Sequence, residues 1–217
     1  NLSWLDSEDW QISIGTNDQT SIGTMTAINE KMGVTLTSKD AVHNEQDVFL
    51  RNFTLTNNSS VSREIKLFLS QQFRIFESRR GDTAFYDPRV KAIVHYKGTT
   101  AFLVNASING VQFTEFNIGL FGIEGKEGTY MDAVDGVLEK NPIEHGSVDS
   151  VIGLSTALAS GASADIHYWI VCGSTIPAVH TLDEYVLEEK PERLIASTES
   201  YWRAWLEKET RDLSILP

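Results

Sequence analysis

The stretch DVFLRNFTLTNNSSVSREIKLFL, residues 47–69, decides the fold. Phe49, Arg51, Phe53 and Leu55 occupy one side of an alternating pattern while Val48 and Leu50 begin the other. After the polar cluster Asn57-Asn58-Ser59-Ser60, Ile65, Leu67 and Leu69 resume the same period. A period of two is what an extended chain shows when one face is buried. Two such runs joined by a short polar connection predict a β-hairpin, and with it neighbouring antiparallel strands.

The pattern spreads in both directions. Upstream, Trp10, Ile12 and Ile14 alternate with Gln11 and Ser13, and residues 34–37 repeat the habit. Downstream, residues 73–77 are expected to continue the sheet, and Arg79, Arg80, Gly81 and Asp82 to form a charged turn. In GDTAFYDP (81–88), Pro88 biases Asp87 away from helical angles, so Phe85 and Tyr86 sit on extended backbone. Burial is the stronger expectation for rings of that area. Residues 92–96 and 101–107 flank Lys97-Gly98-Thr99 as a second hairpin, and a strand over 112–118 follows with Phe113 and Phe116 out of strict alternation. Residues 151–158 and 166–172 are strands on either side of a turn at 160–163. The second places Ile166, Tyr168 and Ile170 on one face and Trp169 and Val171 on the other, as a central strand covered on both sides does.

The ending changes character. Thr181 and Glu184 read as a capping box for a short helix, and Pro191 suits the first turn of a second one. Leu194, Ile195, Tyr201, Trp202, Trp205 and Leu206 then form a stripe at helical spacing, expected to pack onto its own domain.

The densest polar cluster lies in GTYMDAVDGVLEKNPIEHGSVDS, residues 128–150. Gly128, Gly136 and Gly146 can take positive φ, while Asp132, Asp135, Asn141 and Asp149 can fold back onto nearby amides. That density of turn chemistry predicts a long irregular loop, and such loops are functional more often than short ones. Two readings stand: a loop packed down with its acids capping its own turns, or a surface that meets a ligand or another domain. The contact candidates are Tyr130, Asp132, Asp135, Glu144, His145 and Asp149.

Composition narrows the function. A length of 217 residues allows one large β domain, and 41% hydrophobic with 22% charged residues describes an ordinary globular chain. A net charge of -12 disfavours nucleic acid and anionic membranes, both of which demand clustered Lys and Arg; neutral glycans stay compatible. Cys172 is the lone cysteine, which fits a reducing, cytoplasmic setting. The N-x-S/T triplets at Asn52, Asn57, Asn58 and Asn105 read as chance in a chain rich in Ser and Thr. Asp132-Ala133-Val134-Asp135-Gly136 has the wrong spacing for an EF-hand, and the five histidines show no paired helical spacing for zinc, so neither metal nor cofactor is expected. A calcium ion on loop oxygens is the remaining alternative.

Four pieces, in order along the chain, carry a family resemblance: WLDSEDW (4–10), GDTAFYDP followed by VHYKG (81–88 and 94–98), the GTYMDAVDG and HGSVDS segments, and YWRAWL (201–206). On these the chain resembles the N-terminal domain of bacterial and archaeal glucoamylase-like enzymes of glycoside hydrolase family 15, which includes glucoamylases, glucodextranases and some trehalases. The resemblance implies a mainly β fold, an antiparallel supersandwich of the galactose mutarotase type over residues 1–180 with its first strands missing. It implies a helical linker over 181–217 towards a catalytic (α/α)₆ barrel of the same polypeptide. The catalytic glutamates of the family belong to that barrel, so no catalytic residue is assigned here. The function implied is that of a noncatalytic domain of an enzyme acting on α-glucosides, with α-glucan or oligosaccharide as a candidate ligand. Loss of the neighbouring barrel would uncover an apolar patch and favour a homodimer. Two alternatives stay open. One is a self-sufficient mutarotase-like enzyme using His95 or His145 with Glu144 as acid and base, although neither VHYKG nor IEHGS matches the mutarotase pattern. The other is a carbohydrate-binding module stacking sugars on Trp4, Trp10, Phe85, Tyr86 and Tyr130.

Overall fold

The computed structural model describes residues 2–17, 20–78 and 80–209. Arg79 of the expected charged turn and residues 210–217 of the expected linker lie outside them. In chain order the strands are β1 (Gln11–Thr16), β2 (Gly23–Asn29), β3 (Val34–Val42), β4 (Val48–Asn57), β5 (Arg63–Gln71), β6 (Asp82–Asp87), β7 (Ala92–Lys97), β8 (Thr100–Ile108), β9 (Val111–Gln112), β10 (Glu115–Leu120), β11 (Ile143–Gly146), β12 (Val148–Leu158) and β13 (Ser163–Gly173). Helices α1 (Ile176–Glu189) and α2 (Pro191–Glu209) close the chain.

Every strand pair is antiparallel. A ten-stranded sheet runs β1-β2-β3-β4-β13-β8-β7-β6-β11 with β9 attached to β8, and a three-stranded sheet, β10-β12-β5, lies against it. Side-chain alternation sorts the two faces of the large sheet. Phe53, Leu55, Val104, Ile166 and Tyr168 join Ile152, Leu154 and Phe116 of the small sheet in one core, while Val48, Leu50, Leu103, Trp169 and Val171 meet Val179, Val186, Leu194 and Ile195 of the helices in a second. Each large aliphatic side chain so buried contributes about 1.5–3 kcal/mol. Strand β13 has apolar cover on both faces and lies between β4 and β8, the central position its sequence predicts.

The hairpin expected from residues 47–69 does not form. Strand β4 stays in the large sheet, whereas β5 crosses to the small sheet and pairs with β12, Leu67 opposite Leu154. Asn57 causes the crossing. It is fully buried and its amide nitrogen donates to the carbonyls of Val61 (2.9 Å), Leu158 (3.0 Å) and Ala159 (3.1 Å). Its amide oxygen accepts from Ser59 N and Arg63 Nε. One side chain thus ties the β4–β5 arch to the β12–β13 arch, and each period-two run faces its partner across the core instead of beside it.

Other expectations shift in similar ways. Residues 73–77 leave the sheet: Ile75–Glu77 form a 3-10 turn in which Phe76 (φ 58°) and Glu77 (φ 57°) are left-handed. The strand expected over 112–118 splits into β9 and β10, with Phe113 between them. Helix α1 begins before Thr181, because Thr175 caps it by accepting from Ala178 N and Pro177 fills its first turn. Thr181 donates instead to Pro177 O inside the helix. Pro191 does start α2. Along the aromatic stripe Leu194 and Ile195 are buried, while Tyr201 and Trp205 are 45% and 47% exposed and stand edge to face with Trp202.

Candidate functional site

The 128–150 stretch is partly regular, against the expectation of an irregular loop. It contains a 3-10 segment, Thr129–Asp135, then β11 and the start of β12. Strand β11 exists through a tertiary pairing, Ile143 opposite Phe85 of β6, which no local pattern encodes. The 3-10 segment lies across the outer face of the small sheet, where Ala133 and Leu138 cover Val151 and Phe68.

Gly128 starts this cover. Its φ is 144°, and a Cβ there would lie 2.7 Å from both Asp149 Oδ2 and Phe121 Cδ2, so only glycine fits. At the other end Gly136 (φ 84°) donates its N–H to Ala133 O. Between them the acids satisfy backbone and amide donors. Asp132 Oδ2 accepts from Asn117 Nδ2 and from Glu139 N, both at 2.8 Å. Asn117 Oδ1 in turn accepts from Asn141 N, and Asn141 donates to Ile118 O. Asp135 Oδ1 accepts from Val137 N in a local turn. Asp149, 1% exposed, accepts from Thr129 N at 2.8 Å through Oδ2, while its Oδ1 has no hydrogen-bond partner among the described residues. Burial pushes its carboxyl up to about 6, against the pull of the Thr129 amide.

The remaining candidates lie elsewhere. Glu144 and His145 are on β11: Glu144 Oε1 accepts from His145 N, and His145 Nδ1 is 2.8 Å from Thr83 Oγ1. Tyr130 meets Trp4 edge to face at 5.6 Å. Among the described residues, no hydrogen bond or ion pair joins side chains of two of the six candidates, and no group of three or more His, Cys, Asp or Glu is placed to hold a metal ion. Asn117 completes the clamp and was missed in the sequence, where a lone Asn inside a strand gives no signal.

His95 is fully buried between the sheets. Its Nε2 lies 2.8 Å from Ser150 Oγ, which donates to Gln71 Oε1; its Nδ1 has no hydrogen-bond partner among the described residues. Burial pulls its pKa down to about 3. Phe73 stands edge to face with it at 5.0 Å. That setting holds a neutral structural imidazole. Of the aromatics considered as stacking platforms, Trp10 and Tyr86 pack against the inner core and Phe85 against the helix-side core, whereas Trp4 is 37% exposed.

Beside the exposed Asp135, Glu139 and Lys140, the loop turns three apolar side chains outward. Met131, Val134 and Val137 are 45%, 54% and 61% exposed; the spacing of three places Met131 and Val134 along one edge of the 3-10 segment, and Val137 follows its Gly136 cap.

The fold resembles part of a solved glucoamylase. A solved bacterial glucoamylase complexed with acarbose superposes on 91% of this chain at a TM-score of 0.74 with 10% identity. This chain spans 29% of the glucoamylase's length. A polysaccharide lyase aligns over 70% of the chain at a TM-score of 0.43 and 8% identity, too weak to inform the fold. No protein-family model matches the sequence, and no curated protein sequence does. Among the described residues no helix is long and apolar enough to cross a membrane.

Proposed function

We propose that this chain is a noncatalytic domain of a glycoside hydrolase of family 15 acting on α-glucosides, and that it supports a catalytic (α/α)₆ barrel of the same polypeptide. The observation that carries the reading is the loop's division of labour. Asp132 and Asp149 accept the amide donors that close the loop, while Met131, Val134 and Val137 face outward beside the exposed Asp135. Exposed aliphatic side chains on a hydrogen-bonded segment suit packing against another domain. Tyr201 and Trp205 on α2 offer a second contact, in keeping with residues 181–217 as a linker. The superposition on a glucoamylase supports the same assignment.

The test is direct. Purified chain incubated with maltose, maltooligosaccharides and trehalose is expected to release no glucose, and sustained release would overturn the reading. A catalytic barrel encoded in the same gene is expected to co-purify with the chain when the two are expressed as separate pieces. Substituting Met131→Asp together with Val134→Asp should abolish that co-purification while leaving the fold intact.

A further inference from the structure

Strand β8 turns back into β9 through Ile108-Asn109-Gly110-Val111. Ile108 pairs with Val111 and Ser107 with Gln112, so Asn109 and Gly110 make the whole connection. Both have positive φ, 50° at Asn109 and 80° at Gly110, as a type I′ hairpin turn requires. Both are exposed, and a Cβ built on Gly110 would meet nothing within 4 Å. The Asn109 N–H donates to Asp165 O at 2.9 Å and tethers the front of the turn to β13. Neither the side-chain amide of Asn109 nor the N–H of Gly110 has a hydrogen-bond partner among the described residues.

We propose that Asn109 is a site of spontaneous deamidation. The Gly110 nitrogen attacks Cγ of Asn109; a bond forms between them, the Cγ–Nδ2 bond breaks, and ammonia leaves with the proton given up by the Gly110 nitrogen. The product is a five-membered succinimide, which water opens. Addition of water at Cγ restores the ordinary linkage as aspartate. Addition at the main-chain carbonyl carbon of Asn109 leaves Cγ as the linking carbonyl, which is isoaspartate. Water is the sole co-reactant, and nothing is oxidised or reduced.

The fold separates Asn109 from the other asparagines. It is the one asparagine followed by glycine, so no side chain crowds the attacking nitrogen. After Asn57 and Asn58 that nitrogen is engaged: Asn58 N donates to Gly33 O at 2.8 Å and Ser59 N to Asn57 Oδ1 at 3.1 Å. Asn105 and Asn117 are buried, and the amides that follow them donate to their side-chain oxygens. A type I′ turn fixes the Asn109 backbone, and ring closure has to rotate it, so the hairpin must open first. That opening is local. Strand β9 is two residues long, pairs with β8 alone and lies off the main strand path. Beyond it the buried Phe113, whose N–H donates to Ala106 O at 3.1 Å, holds the chain in place. Either product adds a negative charge to a chain already at -12, and isoaspartate also lengthens the main chain of the turn by a methylene. The inference is independent of the proposed function, since the hairpin belongs neither to the 128–150 loop nor to α2.

The test is prolonged incubation of the folded chain in mildly alkaline buffer, followed by acidic digestion and mass spectrometry of every asparagine-containing peptide against aspartate and isoaspartate standards. The peptide spanning Asn109 is expected to gain the mass of an amide-to-acid exchange before any other, with isoaspartate in excess over aspartate. Asn109→Gly keeps a two-residue turn suited to positive φ, and the isoaspartate formed by the whole chain should fall to a minor fraction of the parent's. The proposal is overturned if Asn109 keeps its amide in the folded chain while urea-unfolded chain loses it, or if another asparagine converts faster. It is overturned equally if aspartate forms without isoaspartate, or if the Asn109→Gly chain accumulates isoaspartate as fast as the parent.

Discussion

Asp183 carries the sharpest prediction. It lies on α1, fully buried against the large sheet, and its Oδ1 accepts from Trp169 Nε1 at 2.7 Å and from Asn105 Nδ2 at 3.0 Å. No cation pairs with it among the described residues, and burial raises its carboxyl from 3.8 to about 6. The sign follows from linkage. The folded pKa is above the unfolded one, so the contribution is fully present below about 3.8 and is lost as pH rises through about 6. From pH 4 to pH 7 that loss amounts to about 2 kcal/mol. Asp183→Asn removes the titration. Its amide oxygen can still accept from Trp169 and Asn105, while its NH₂ takes the place of Oδ2, 3.4 Å from the Asn105 NH₂, and is a buried donor without an acceptor, at a cost of about 1–3 kcal/mol. The variant should therefore be clearly weaker than the parent at pH 4 and close to it at pH 7. Urea unfolding followed by tryptophan fluorescence at each pH measures the difference. Stability curves that stay parallel from pH 4 to pH 7 would refute an ionisable, uncompensated Asp183.

Three further outcomes are expected. Gly128→Ala should destabilise the chain by about 2 kcal/mol or more, because the Cβ meets the Asp149 carboxylate and the Phe121 ring at 2.7 Å in a backbone region alien to alanine; thermal melts check this. His95→Gln should flatten the acid limb of the stability profile. With a folded pKa of about 3 against 6.5, neutral His95 stabilises above pH 6.5, and about 3 kcal/mol is lost by pH 4 in the parent alone. Asp132→Ala removes the acceptor for Asn117 and Glu139 N, so hydrogen exchange at the Glu139 amide should quicken about tenfold, as one lost charge-assisted bond predicts, while the strand amides of β12 stay protected.

The loop shows where sequence reading stops. Its glycines and acids were legible as turn chemistry, and Gly136 with Asp135 uses it locally. Which of the acids serve the loop and which serve a partner was not legible, because Asp132 meets Asn117 and Asp149 meets Thr129 only after the sheet places them together.

Local alternation determined a good deal on its own. The opposed faces of β4, the double cover of β13, the extended run before Pro88 and the start of α2 at Pro191 all follow from side-chain period and from the geometry of proline. A strand's period records that one side is buried but carries no label for its neighbour. The tertiary structure therefore decided that β5 pairs with β12 and not β4, with the buried amide of Asn57 fixing the arch. It also decided that residues 75–77 turn out of the sheet and that residues 143–146 join it, because hydrogen bonds to a distant strand outweigh the weak preferences of a short segment.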